Sequence, residues 1–108
     1  MITGRILLVE DERIMALHLK QQLLKMGYSV TAIATSGEKA LQNIENQEPD
    51  LVLMDIHIEG AIDGIETTSR IRAELQIPVI YLTAYADETT LERARATRPY
   101  GYLLLTSR

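Results

Sequence analysis

Residues 51–55 read Leu51-Val52-Leu53-Met54-Asp55, an apolar run that stops on a carboxylate. An earlier run, Ile6-Leu7-Leu8-Val9, stops on Glu10 and Asp11, and a later one, Val79-Ile80-Tyr81-Leu82, stops on the hydroxyl of Thr83. Continuously apolar segments of this length read as strands buried on both faces, the pattern of a parallel sheet. Three such strands would carry Glu10, Asp11, Asp55 and Thr83 to one edge of that sheet. Ligands bind at the carboxyl edge of open parallel sheets.

Segments of helical spacing separate the strands. Ala16, Leu19, Leu23 and Met26 recur on one helical face, and Gly27 stops that helix. Tyr28 to Ala34 alternate as a strand, after which Thr35 with Glu38 predicts a capping box ahead of Ala40, Leu41 and Ile44. Asp63 and Gly64 read as the turn into a helix over 65–75, with Ile65, Ile71 and Leu75 inward. Asp87 is placed to cap a fourth helix with Leu91 and Ala94 inward, and Pro99 ends it before a last strand over 100–105. Five strands alternating with four helices predict an α/β fold, a parallel sheet with right-handed crossovers and helices on both faces. Only Thr106, Ser107 and Arg108 follow the last strand, so the sequence predicts no helix there and one bare sheet face. That face predicts a homodimer or the capture of a partner helix.

Length and composition bound the function. The 108 residues suffice for one domain, and a formal net charge of -4 argues against direct nucleic-acid binding. Without cysteine there is neither a disulfide nor a thiolate metal site, and no apolar run is long enough to span a membrane, which predicts a cytoplasmic module without membrane insertion. Arg93, Arg95 and Arg98 read as a solvated face, with acidic partner docking as the alternative. Tyr81 and Tyr85 read as packing or partly exposed residues, and both histidines, His18 and His57, as surface residues.

The acidic trio points to a particular chemistry. Carboxylates crowded together repel one another and are kept ionised most easily by a hard divalent cation, for which Mg2+ suits an all-oxygen ligand set. A carboxylate beside such an ion is also a nucleophile toward phosphorus. Asp55, ending the central strand, is the better nucleophile candidate, while Glu10 and Asp11 are better placed as ion ligands.

In their order and spacing the segments ILLVEDE, LVLMDI, DGIE, IPVIYLTAYAD and PYGYLL resemble the response-regulator receiver domains of two-component signalling. The resemblance runs over nearly the whole of residues 1–108 and implies a flavodoxin-like, doubly wound sheet of strand order 2-1-3-4-5, here shortened at its C-terminus. It implies that Asp55 accepts a phosphoryl group from a histidine kinase or phosphotransfer protein. It further implies that Glu10, Asp11, Asp55 and the backbone carbonyl of His57 hold Mg2+. Thr83 matches the switch hydroxyl and Tyr102 the switch aromatic. One position departs: Leu105 stands where receivers carry a lysine, and an alkyl chain supplies no charge-assisted contact to a phosphoryl oxygen. Two other readings fit the residues, a receiver-like docking or dimerisation domain that is never phosphorylated, and a small Mg-dependent phosphatase with an aspartyl nucleophile.

Overall fold

The computed structural model describes residues 4–83 and 87–104. Its elements follow in the order β1 (Arg5–Val9), α1 (Arg13–Lys25), β2 (Ser29–Ala34), α2 (Gly37–Asn46), β3 (Leu51–Asp55), α3 (Gly64–Glu74), β4 (Val79–Thr83), α4 (Glu88–Ala96) and β5 (Gly101–Leu104). The strands form one parallel sheet in the order β2-β1-β3-β4-β5. The predicted α/β fold, its strand order and its four helices among the described residues all agree with the sequence reading. Leu105 and Tyr85 lie outside the described residues.

Alternation along each strand divides the core in two. Leu7, Val9, Val52, Met54, Val79 and Tyr81 face α2, α3 and α4 and pack with Ala40, Ile44, Ile65, Ile71 and Ala94. Ile6, Leu8, Leu53 and Leu82 face the other way, onto Ala16, Leu19 and Leu23 of α1. This second layer is thinner, and Leu103 of β5 is 47% exposed.

The ends of α1 and α2 differ from the sequence expectation. Helix α1 closes in a Schellman motif, with Tyr28 N–H on Leu23 O and Gly27 N–H on Leu24 O, both at 3.1 Å, and Gly27 takes φ 96°. Met26, expected to face inward, is instead the C-cap of that helix and 67% exposed, because the chain has left the helical spiral there. The cap of α2 is Ser36, not Thr35: Ser36 Oγ accepts from Lys39 N–H at 3.2 Å, while Thr35 Oγ1 accepts from Lys39 Nζ at 3.4 Å. Glu38 does not reach back to close a capping box, because its Oε2 accepts from Ala61 N–H at 3.0 Å on the loop after β3. Asp87 caps α4 as expected, accepting from Thr90 N–H at 2.8 Å.

Candidate functional site

Strands β1 and β3 are hydrogen-bonded neighbours, with Val9 beside Met54. Their carboxyl ends therefore deliver Glu10, Asp11 and Asp55 together, and one carboxylate oxygen from each lies within 4.8 Å of the others. Each carboxylate is also held by a backbone N–H: Glu10 Oε2 by Glu12 at 3.0 Å, Asp55 Oδ1 by His57 at 3.0 Å, and Asp11 Oδ2 by Glu59 at 3.1 Å. The third of these ties the loop after β3 to the loop after β1. No local pattern marks this contact, since it depends on how the 57–63 loop folds back.

Burial sets the electrostatics. Glu10 is only 4% exposed, and its pKa rises from the ordinary 4.5 to about 7. Burial is the largest cause; Asp55 and Asp11 add repulsion, while the Glu12 N–H works against the rise. Burial likewise raises Asp55, against the His57 N–H bond that favours its ionised form. Two neighbouring carboxyls both pushed upward form a site that holds either a proton or a cation. The all-oxygen donor set suits a hard divalent ion such as magnesium.

Beside the trio, Asp55 pairs with Leu82 across β3 and β4, which sets Thr83 one residue further along the neighbouring strand. Thr83 is buried, and its Oγ1 has no hydrogen-bond partner among the described residues. An orphaned hydroxyl of this kind costs free energy unless something fills the site. His57 exposes its side chain, in line with its surface reading, and engages Asp55 through its backbone N–H.

Tyr102 of β5 pairs with Tyr81 of β4; the rings stack with centroids 5.8 Å apart, and Tyr102 remains 40% exposed. Tyr81 is fully buried, which corrects any reading of it as a partial surface residue. Its hydroxyl lies 2.8 Å from Thr97 Oγ1, whose own proton goes to Ala94 O at 2.6 Å, so Tyr81 is the donor. Residues 81, 97 and 102 thus link β4, the end of α4 and β5.

The loop between Asp55 and α3 closes tightly. Gly64 N–H bonds to Ile56 O at 3.0 Å, and a Cβ on Gly64 would overlap the carbonyl oxygen of Asp55. The close approach expected of Gly64 is therefore real and sits directly behind Asp55. Asp63 does more than turn the chain: Oδ1 caps α3 through Glu66 N–H at 2.8 Å, and Oδ2 lies 3.3 Å from Arg93 on α4. The spacing Asp63-x-x-Glu66 was a legible helix-start signal for the first contact. Nothing in the sequence pattern marked the second.

Residues 6–104 match the family described as the response regulator receiver domain. The chain belongs to that family. The receiver is 34% identical over 103 residues to the transcriptional regulatory protein PdtaR of Mycobacterium tuberculosis, covering 95% of this chain and 50% of that protein. It is 39% identical over 100 residues to the transcriptional regulatory protein ZraR of Escherichia coli, covering 91% of this chain and 22% of that protein. The chain thus spans half or less of the length of these relatives. Among solved structures, the signal receiver domain of a modulated diguanylate cyclase from Desulfovibrio desulfuricans superposes with a TM-score of 0.90 at 38% identity, covering 95% of this chain and 82% of that one. No helix among the described residues is long and apolar enough to cross a membrane.

Proposed function

We propose that this receiver accepts a phosphoryl group on Asp55 from a phosphohistidine of a partner kinase or phosphotransfer protein. The observation that carries the reading is the carboxylate trio within 4.8 Å at the ends of β1 and β3, with Asp55 on the central strand. An Asp55 carboxylate oxygen forms the new P–O bond, the P–N bond of the donor breaks, and its electron pair stays on the donor imidazole. The product is an acyl phosphate, and water later cleaves it to return the carboxylate and inorganic phosphate.

Glu10, Asp11 and Asp55, with the His57 carbonyl by family match, are the residues that would hold Mg2+. When bound, the ion supplies positive charge against the phosphoryl oxygens. Within the chain, the His57 N–H fixes the orientation of Asp55, and Thr83 has a hydroxyl, without a partner among the described residues, to donate to a phosphoryl oxygen. Tyr102, half exposed against the buried Tyr81, is the aromatic whose burial would follow movement of Thr83. Leu105, at the lysine position, has an alkyl side chain with no charge or donor to offer a phosphoryl oxygen, so transfer should be slow.

Beryllofluoride, which bonds to a carboxylate as a phosphoryl mimic, tests this reading. With magnesium present it should shift the amide resonances of Asp55, Thr83 and Tyr102 in the parent and leave the Asp55→Asn variant unchanged. Equal shifts in both proteins, or none in the parent, would remove Asp55 from the role.

A further inference from the structure

The arginines that the sequence groups on the fourth helix do not act as one face. Arg95 stands apart, whereas Arg93 and Arg98 meet Arg72, from the last turn of α3, along a groove of about 550 Å³ between α3 and α4. Ser69 and Thr97 also line it, and Ile65 adds apolar surface. Glu66 is the one acid among the described lining residues, and its Oε2 is already engaged by Arg70 Nε at 3.2 Å. Arg93 is held by Asp63, but neither Arg72 nor Arg98 forms an ion pair among the described residues. A chain of net charge -4 thus concentrates guanidinium groups in one concave place.

The backbone at Arg98 adds a second observation. It follows the C-cap Thr97 and takes φ 57°, as no other non-glycine does among the described residues. Glycine relaxes that left-handed position, and a side chain with a Cβ is strained there. The arginine is thus kept at a position whose backbone favours glycine, and its side chain lines the groove. Strained positions of this kind gather where a side chain is used.

We propose that the α3–α4 groove docks an acidic segment of a partner protein, with carboxylates pairing to Arg72 and Arg98 and apolar side chains lying over Ile65. Guanidinium forks match carboxylates bidentately, which gives the site its preference for Glu and Asp over neutral side chains. Nucleic acid fits less well, because no aromatic among the described residues lines the groove to stack a base and the chain as a whole is acidic. The site lies apart from the carboxylate trio, and its test uses unphosphorylated protein.

Fluorescence anisotropy decides the question with three labelled probes: a peptide rich in Glu and Leu, its twin with Gln for Glu, and a single-stranded RNA. The Glu peptide should bind saturably, weaken as salt rises, and lose about tenfold or more in affinity in Arg72→Gln and in Arg98→Gly. Arg95→Gln, outside the groove, should bind as the parent does. Arg98→Gly should melt at or above the parent temperature, since glycine relieves the backbone, so its binding loss cannot come from misfolding. The proposal is overturned if the Gln twin binds equally, if both groove variants bind like the parent, or if RNA binds more tightly than the Glu peptide.

Discussion

Raising the pH without divalent ions should destabilise this domain, and Glu10 is the reason. Its pKa is 4.5 ordinarily and about 7 in the folded chain, so between these values the native state binds more protons than the unfolded state. Stability then falls as pH rises: the contribution is fully present below 4.5 and gone above about 7. At 1.36 kcal/mol per pKa unit the loss from Glu10 is at most about 3 kcal/mol, a large share of the roughly 5–15 kcal/mol that folded domains possess. Asp55 is raised too and acts in the same direction. Asp87, lowered by its bond to Thr90 N–H, acts below its ordinary 3.8 and leaves this window untouched. Urea unfolding from about pH 5 to about pH 8 measures the slope, with magnesium as the second axis. Magnesium should restore stability at the alkaline end, by about 1.4 kcal/mol for each tenfold excess over its dissociation constant. Asp55→Asn should shrink the slope only in part, because burial outranks the Asp55 charge among the causes at Glu10. Glu10→Gln should remove most of it. A parent-like slope in Glu10→Gln, or a parent whose stability is flat or rises with pH, would rule out Glu10 as the source of the pH dependence.

Three further outcomes follow from particular contacts. Asp11→Ala subtracts a ligand and a charge from the trio, so calorimetric or NMR titration should show magnesium affinity falling by about tenfold or more; unchanged affinity would show that the ion binds elsewhere. Gly64→Ala drives a Cβ into the Asp55 carbonyl oxygen, and backbone offers little give, so unfolding free energy should drop by about 1–3 kcal/mol; a parent-like denaturation midpoint would mean the loop shifts freely. Ile6, Leu23, Tyr28, Leu51, Leu53, Ile80 and Leu103 line an apolar groove of about 190 Å³ on the α1 side of the sheet, the surface through which the homodimer expected from the sequence would form. Sedimentation over a concentration series should show self-association, and a monomer persisting at high micromolar concentration would rule that surface out.

Much of this architecture was legible because the signals are local and periodic. Apolar strands ending on Glu10, Asp55 and Thr83 identified both the sheet and the edge that matters, since parallel strands in one sheet necessarily bring their carboxyl ends together. Asp87 as a cap and Gly27 as a stop were legible for the same reason, being decided within a few residues. Thr35 and Ser36 are both capping types side by side, and only the backbone distinguishes the one that accepts from Lys39 N–H. Glu38 illustrates a competing tertiary contact, its carboxylate taken by Ala61 rather than by its own helix. The Asp63 to Arg93 pair and the Tyr81 to Thr97 bond join residues 30 and 16 positions apart, distances over which no sequence period operates. The basic groove escaped detection similarly, because Arg72 belongs to a different helix from Arg93.

Intact-mass measurement after incubation with acetyl phosphate and magnesium decides whether Asp55 is the phosphoacceptor. The parent protein should carry a single phosphoryl adduct, formed slowly, dependent on magnesium and absent from Asp55→Asn. No adduct on the parent, or an equal adduct on the variant, would contradict it.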